Sequence, residues 1–157
     1  MATTHQFEAR TLWRKGAAGV TPSNHRIEFT GRPAIEASAA PQYRGDPARV
    51  NPEELFLAAL ASCQMLTYLA LAARAGIDIL AYDDHAQATL AIADRKMRIT
   101  EVRLRPHITL AAGADEAKAR ALVEAAHDGC FIANSVACAV RVEAELVIGG
   151  DGIAGHA

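Results

Sequence analysis

Alternating apolar and polar residues predict three strands near the start of the chain, at residues 5–14, 25–30 and 34–39. Gly31-Arg32-Pro33 predicts the turn between the last two of these strands. The segment that follows, residues 40–50, contains prolines and a glycine, so we expect a loop there.

A long helix is predicted after this loop. Residues 51–54 read Asn-Pro-Glu-Glu. The asparagine can cap the helix, the proline suits the first helical position, and the carboxylates suit the positive end of the helix dipole. We expect the helix to continue to Ala75 and to end at Gly76.

This helix has no charged side chain from Leu55 to Ala73. A helix that is apolar on all faces is either a membrane span or deeply buried. Its richness in alanine, its polar Ser62 and Gln64 and its missing basic flank favour burial. At ~36 Å it would be about as long as the diameter of a chain of this size, so one small sheet would leave one face uncovered. We therefore predict a homodimer with the two helices packed together. The alternative is that the second helix and the loop cover the remaining face.

The second half of the chain alternates extended and helical patterns. We predict two extended segments, an amphipathic helix, a short helical turn and a closing strand, at residues 82–93, 98–110, 115–128, 130–136 and 140–148 respectively. Pro106 indicates an edge strand or a bulge, and Gly129 ends the helix. We expect one domain over residues 1–148, followed by a flexible glycine-rich tail at residues 149–157.

The composition excludes several classes of protein. Hydrophobic residues make up 51% of the chain and charged residues 22%, as in a soluble globular protein. The net charge of −2 predicts neither a nucleic-acid partner nor a membrane partner. The N-terminal residues lack the pattern of a signal peptide, so we expect a cytoplasmic protein with reduced thiols.

The three cysteines cannot all pair within one chain. Cys130 is expected at a helix N-terminus, one turn from His127, where backbone N–H groups favour a thiolate. Cys63 lies well past the first turn of its helix, so a thiolate there would need a cation, most plausibly an arginine. We interpret Cys138, which lies between two alanines, as a small buried residue.

A zinc site is the competing interpretation of these thiols, with Cys63, Cys130, Cys138, His107 and His127 as its possible ligands. The chain has neither the C-x2-C nor the H-x3-H spacing that such sites use, and the ligands would come from distant segments. We therefore predict neither a metal nor a cofactor.

Two segments resemble a known family. Asn51-Pro-Glu-Glu-Leu-Phe-Leu-Ala-Ala-Leu-Ala-Ser-Cys63 resembles the NPEEL…AAxxxC signature of the OsmC/Ohr family, the osmotically inducible protein C and organic hydroperoxide resistance proteins. Cys130-Phe-Ile-Ala-Asn-Ser lies where that family has its second cysteine. The order of the predicted elements also fits the family over nearly the whole chain.

The resemblance implies an α+β fold, an intertwined homodimer in which antiparallel sheets wrap around two long central helices. It also implies a cysteine-dependent peroxidase that reduces organic hydroperoxides, with hydrogen peroxide as a second candidate substrate. In that family Cys63 would be the peroxidatic thiol and Cys130 the resolving thiol, so the pair would form a disulfide. An external dithiol of lipoyl or thioredoxin type would then reduce this disulfide.

The family pairs an arginine with a glutamate beside the thiolate, and Glu53 matches that glutamate. Arg44 lies about where OsmC-type members carry the arginine, and Arg26 is the nearest match to the earlier Ohr-type position. A guanidinium can contact a carboxylate and a thiolate together, which favours Arg44. Glu53 could equally serve only the helix dipole. Gln64 departs from the family, many of whose members have phenylalanine after the first cysteine.

Glu53 and Cys63 are about 15 Å apart along one helix, too far to share a site. An antiparallel partner helix would bring the opposite chain's glutamate towards Cys63, so we expect a site built across the dimer interface.

Three residues are candidates for an apolar wall that favours alkyl or lipid hydroperoxides, namely Leu60, Leu66 and Phe131. The same residues could simply belong to the core. The alternative function is a non-catalytic, stress-related dimeric module that binds a small apolar ligand.

Overall fold

The computed structural model describes residues 3–15 and 22–149. Strands and helices are both present, and the α+β fold class is confirmed. The chain divides into two compact units, Met1–Phe56 and Leu57–Ala157. Each unit is described by itself.

The first unit holds one antiparallel sheet of strands β1 (Arg10–Leu12), β2 (His25–Phe29) and β3 (Arg32–Ala37), in the order β1-β2-β3. The first strand is shorter than predicted, because only three of its residues have partners on β2. The third strand begins earlier than predicted, because the chain turns at Gly31, whose φ is 71°. The expected loop contains a 3-10 turn at Pro41–Tyr43.

Helix α1 spans Pro52–Ala75, with the bounds that the sequence predicts. The side chain of Asn51 accepts a hydrogen bond from the Glu54 amide at 2.9 Å, and Glu54 accepts one from the Asn51 amide at 3.1 Å. This reciprocal pair is a capping box. Gly76 follows the helix with a φ of 71°, the left-handed conformation in which many helices end.

The second unit contains six strands and a second helix: β4 (Ile79–Asp84), β5 (Gln87–Ala93), β6 (Lys96–Leu104), β7 (Pro106–Leu110), α2 (Glu116–Gly129), β8 (Ala139–Val142) and β9 (Glu145–Ile148). They form two sheets, β4-β7-β9 and β5-β6-β8. The pairs β6–β8 and β7–β9 are parallel, so the sheets are mixed rather than purely antiparallel as expected. The two predicted extended segments, residues 82–93 and 98–110, each cover parts of two strands, because within each segment the chain passes from one sheet to the other.

Pro106 contradicts the prediction of an edge strand or bulge. It is buried and begins β7, the middle strand of its sheet. The first residue of a strand is a position that tolerates proline inside a sheet. The amide of the residue before it, Arg105, donates a hydrogen bond to the Asp84 carboxylate at 2.7 Å.

The main core of this unit lies where α1 and α2 pack on the sheet β4-β7-β9. Its buried members are Tyr68, Ala72, Ile77, Ile108, Leu110, Ala119, Val123, Ala126 and Leu146. Two buried polar side chains of α1 donate to carbonyls of α2, Gln64 to Val123 at 3.2 Å and Tyr68 to Ala119 at 3.3 Å. These bonds join the two helices.

The other face of α1 is exposed in the single chain, including Ala59, Ser62, Leu66 and Ala70. The helix is long and apolar enough to cross a membrane by length and composition, with a mean hydropathy of 1.8, and 22% of that apolar stretch is buried. The sequence predicts that α1 is buried on all sides, but a single chain leaves one face of this helix exposed.

Residues 150–157, which make up most of the predicted tail, lie outside the described residues. Gly149, the residue before them, donates its amide to the Leu110 carbonyl at 2.8 Å. The prediction of one domain over residues 1–148 stays a prediction.

Candidate active site

The thiols of Cys63 and Cys130 share a hydrogen bond. Cys63 lies in the middle of α1, and Cys130 directly follows α2. Both cysteines are in the reduced form. Cys130 has an exposed fraction of 0%, whereas Cys63 is only partly buried. One thiol therefore faces the surface and the other lies behind it.

Cys130 does not have the helical position that the sequence predicts. It caps the C-terminal end of α2, with its amide donating to the His127 carbonyl at 3.2 Å. The short helical turn begins later, at Ala133. The carbonyl end of a helix is its negative end, so the dipole of α2 disfavours a thiolate at Cys130. The prediction that a helix N-terminus stabilises this thiolate is wrong.

Backbone amides stabilise a thiolate at Cys63. Burial raises the pKa of the Cys63 thiol and is the largest single influence on it. The amide of Ile132, the Cys130 thiol and the amide of Phe131 are the main groups that lower this pKa, which lies below its ordinary value. The Thr67 hydroxyl contributes less, and it donates its hydrogen to the Cys63 carbonyl at 2.8 Å. The hydrogen-bond donors of the second cysteine's turn thus act on the first cysteine.

The pKa of Cys130 moves in the opposite direction. Burial raises it most, and the hydrogen bond and negative charge of Cys63 raise it further. The Ala133 amide, which donates to the Cys130 sulfur at 3.4 Å, offsets only part of this rise. Cys63 is therefore the thiol that ionises first, while Cys130 keeps its proton.

Side chains of the turn at residues 128–136 hold its amides in place. The Asn134 side chain donates to the Asp128 carbonyl at 2.8 Å, and the Ser135 hydroxyl donates to the Phe131 carbonyl at 2.7 Å. The Asn134 amide donates to the Cys130 carbonyl at 3.0 Å. Because these bonds fix the turn before any reaction, its donors need little reorganisation to stabilise a charge.

A groove of about 640 Å³ opens beside Cys63. Helix α1 forms one wall, with Ser62, Leu66 and Ala70, and Phe131 contributes from the turn. Leu66 is 59% exposed and Phe131 is 81% exposed, so the space beside the sulfur is largely apolar. These two residues lie where the sequence predicts an apolar wall. Leu60 does not, because it is fully buried in the core and outside this lining.

The predicted charged residues belong to the first unit. Glu53 has a buried oxygen, Oε2, with no hydrogen-bond partner among the described residues. Arg26 pairs with Glu28 at 3.2 Å and with Glu36 at 2.6 Å. Arg44 forms no ion pair within the described part of the chain, and its backbone is left-handed, with a φ of 62°.

Cys138 is only partly buried, whereas the sequence predicts a buried residue. Across residues 3–15 and 22–149, no group of three or more histidine, cysteine or carboxylate side chains could hold a metal ion.

Sequence reasoning missed three contributors to the site. Thr67 lies one turn after Cys63, a spacing that a helical projection could have found. Arg74 lines the far end of the groove. The amides of the turn carry no side-chain signal, so nothing in the residue types could have indicated them.

Comparison with known proteins places these features in a family. A family model described as OsmC-like protein matches residues 45–145. The solved structure of an OsmC-like protein of unknown function from Vibrio cholerae O1 biovar eltor str. N16961 is 31% identical, with a TM-score of 0.82. The match covers 92% of this chain and 100% of that chain.

Two more distant structures share the fold. An organic hydroperoxide resistance protein OsmC from Legionella pneumophila has a TM-score of 0.69 at 22% identity, covering 92% of this chain and 98% of that one. An organic hydroperoxide resistance protein from Elizabethkingia anophelis has a TM-score of 0.72 at 20% identity, covering 95% and 100%. No curated protein matches the chain.

Replacing Asn134 with alanine should raise the pKa of Cys63, because the turn then loses one of the bonds that hold its amides. Alkylation of Cys63 at pH 7 should slow by up to about tenfold, since a hydrogen bond to a charged group contributes about 1.5 kcal/mol. The pH dependence of iodoacetamide labelling, mapped by peptide mass spectrometry, measures this change. Thr100→Ala removes a side-chain-to-carbonyl bond on β6 and is the matched control. Equal labelling profiles for both variants and the wild type would contradict this role of the turn.

Proposed function

This chain belongs to the OsmC-like protein family, and from that premise we propose that it is a cysteine-dependent peroxidase that reduces organic hydroperoxides. Two structures of the same fold are named organic hydroperoxide resistance proteins. The observation that carries the proposal is the hydrogen-bonded pair of thiols, in which the pKa of Cys63 is lowered and that of Cys130 is raised.

In the first step the Cys63 thiolate attacks the distal oxygen of the hydroperoxide. A sulfur–oxygen bond forms, the O–O bond breaks, and the leaving alkoxide takes up a proton to become an alcohol. The product on the protein is a Cys63 sulfenic acid. The thiolate is the reactive form of a cysteine, so the lowered pKa of Cys63 supports its role as nucleophile.

In the second step the Cys130 sulfur attacks the sulfenic acid. A disulfide forms and water leaves. The two thiols are close enough to shift the pKa of each other, as the partners of a disulfide must be, which supports Cys130 as the resolving thiol. An external dithiol of lipoyl or thioredoxin type then reduces the disulfide by exchange.

The groove beside Cys63 supports an apolar substrate. Leu66 and Phe131 are exposed beside the reactive sulfur, so the alkyl part of an organic hydroperoxide could bury apolar surface there. Hydrogen peroxide has no such part. The same groove favours the second candidate function, a module that binds a small apolar ligand without any redox change.

We assign the arginine beside the thiolate to Arg44. It has no ion-pair partner among the described residues, whereas Arg26 is already bound to two carboxylates. A non-glycine residue held in the left-handed region is a feature that often marks functional positions. The buried oxygen of Glu53 has no hydrogen-bond partner among the described residues, and an arginine bound to it would be held in position to stabilise the charge that develops on the leaving oxygen.

We further propose that the protein is a homodimer held by α1. Ala59, Ser62, Leu66 and Ala70 form an exposed stripe along this helix. Uncharged stripes of this length rarely stay in water on a soluble protein. A second copy packed antiparallel on this stripe would cover the groove beside Cys63. It would also bring the partner's Glu53 towards Cys63.

The redox proposal predicts a defined product on oxidation. One equivalent of cumene hydroperoxide should remove two hydrogens from the chain and link Cys63 to Cys130, as peptide mass spectrometry can show. Cys63→Ser should abolish turnover, because the nucleophile is lost. Cys130→Ser should leave a sulfenic acid that dimedone traps. Cys138→Ser is the matched control and should keep full turnover. A wild-type protein that stays unoxidised would favour the ligand-binding module.

Replacing the two candidate arginines one at a time tests the assignment. Arg44→Ala should lower kcat/KM for cumene hydroperoxide by about 10²–10³, the usual loss when one donor to a developing oxyanion is removed. Arg26→Ala should change kcat/KM far less, because that side chain serves exposed ion pairs. The reverse order of effects would transfer the role to Arg26.

A charge placed on the exposed stripe tests the dimer. Leu66→Arg should convert the dimer into a monomer in sedimentation velocity, since an unpaired charge buried in an interface costs several kcal/mol. Ile92→Arg is the matched control, because Ile92 is 73% exposed on β5, away from this helix. A wild-type monomer at high concentration, or a dimer that tolerates Leu66→Arg, would contradict the proposal.

A further inference from the structure

The groove beside Cys63 has a charged side chain that the proposed reaction leaves unused. This side chain is Arg74, in the last turn of α1. Every other residue lining the groove, among those that the structure describes, is uncharged. In small-molecule sites the walls are mostly apolar and a few polar groups fix the orientation of the ligand. The groove therefore suits a ligand with a long apolar part and an anionic end.

Arg74 has no partner that would explain it as a structural residue. It is exposed and forms no ion pair within residues 3–15 and 22–149. A cation near the carbonyl end of a helix also stabilises the helix dipole. Lys118 of α2 already serves that purpose here, because its Nζ donates to the Ala75 carbonyl at 2.9 Å. The guanidinium of Arg74 is therefore available to a ligand, at an end of the groove that carries a second positive charge nearby.

The positions of Cys63 and Arg74 set the length of such a ligand. The two residues are eleven positions apart, which is close to three turns of helix, so both lie on one face of α1. Along the helix axis they are separated by about 16 Å. The arginine side chain is long and can shorten this span by leaning towards the N-terminal end of the helix. A ligand that contacts both residues must carry its reactive group far along a chain from its charged end.

The walls between these two positions are apolar. Leu66, Ala70 and Leu71 line the groove from α1. Ala125 and Gly129 line it from α2, and their small size leaves space between the helices. The volume of about 640 Å³ lies within the usual range of small-molecule sites, about 300–1,000 Å³. An unbranched alkyl chain would bury apolar surface along the whole groove.

We propose that Arg74 is a specificity-determining residue that binds the carboxylate of a long-chain fatty-acid hydroperoxide. This role rests on the proposed peroxidase function and names the part of the substrate that lies away from the peroxide. The guanidinium holds the carboxylate through two parallel N–H bonds, and the alkyl chain lies along the groove. At Cys63 a sulfur–oxygen bond forms and the O–O bond breaks. The alkoxide that leaves takes up a proton, so the product is the hydroxy acid.

The charge of Arg74 distinguishes this substrate from related peroxides. A methyl ester has the same chain and the same hydroperoxide but no negative charge at its end. A hydroperoxide that is esterified in a phospholipid also lacks the free carboxylate. Cumene hydroperoxide is too short to contact Arg74 while its peroxide lies at Cys63. Charge complementarity therefore favours the free acid.

The proposed dimer is compatible with this role. The exposed stripe on α1 ends at Ala70, and Arg74 lies one turn beyond it. A second copy packed on the stripe would cover the apolar part of the groove, so more of the alkyl chain would be removed from water.

The test compares an acid with its own ester in a single turnover, so that no reductant is needed. Reduced protein is mixed with linoleic acid hydroperoxide or with its methyl ester, both below their micelle concentrations. The isomer is the one whose peroxide lies farther from the carboxylate. The rate of hydroxy-product formation is then measured for the wild type, Arg74→Gln and Arg74→Glu. Arg120→Gln is the matched control, because Arg120 pairs with Glu116 on the exposed side of α2 at 3.0 Å.

We expect the wild type to react with the acid at least about fivefold faster than with the ester, the upper end of what an exposed ion pair contributes. Arg74→Gln should bring this ratio close to unity, because the positive charge is lost. Arg74→Glu should reverse the preference, because like charges repel. Arg120→Gln should keep the wild-type ratio. The ratio is measured within each variant, so a general loss of reactivity cancels.

An acid-to-ester ratio that stays at the wild-type value in both Arg74 variants would overturn the role of Arg74 and leave the peroxidase intact. If Arg74→Gln were also monomeric in sedimentation velocity, the residue would instead belong to the dimer interface. Calorimetric titration with the hydroxy acid, which involves no redox step, separates these results from failure of the proposed function. Binding that depends on Arg74, without oxidation of Cys63 by either peroxide, would overturn the peroxidase and keep the carboxylate site.

Discussion

The hydrogen bond between Cys63 and Cys130 places two chemically identical side chains in unequal surroundings. The amides of Phe131 and Ile132 reach the first sulfur, while the second lies buried at the carbonyl end of α2. The negative charge therefore rests on the sulfur that faces the groove, and the proton rests on the sulfur behind it. In the function that we propose, the directions of the donors in this one short turn would decide which thiol attacks the peroxide and which one resolves the sulfenic acid.

This arrangement depends on how closely α2 ends against α1. A Cβ at Gly129 would lie 3.4 Å from the Thr67 methyl group, an ordinary van der Waals distance, so the end of α2 lies directly against α1 beside Cys63. Gln64 and Tyr68 hold the two helices together by donating to carbonyls of α2. Gln64 stands at the position where the family resemblance leads us to expect phenylalanine. Its side-chain NH2 group donates to Val123 of α2, the helix that precedes Cys130, while its Oε1 is buried without a partner among the described residues.

Local signals in the sequence were enough to predict α1, because the cap at Asn51 and the stop at Gly76 act on the backbone directly. The ends of the strands were harder to predict. The alternation of apolar and polar residues continues through Arg105, where the chain passes from one sheet to the other, so the pattern does not show that the chain changes sheets. The two cysteines were predictable from the motif. Their electrostatics were not, because the stabilising groups are main-chain amides whose directions depend on the folded turn. The placement of Cys130 at a helix start failed for the same reason.

Two physical requirements are not met within the single chain, and a second copy of the chain could meet both. An apolar stripe on α1 faces solvent, and a buried oxygen of Glu53 has no donor among the described residues. The first would be met by apolar surface and the second by a cation, since a buried carboxylate without a partner costs several kcal/mol. Neither requirement concerns the thiol pair, which is already complete within one unit. The dimer that we propose would therefore add charge stabilisation and enclosure to the proposed redox site, whose two thiols both lie within one chain.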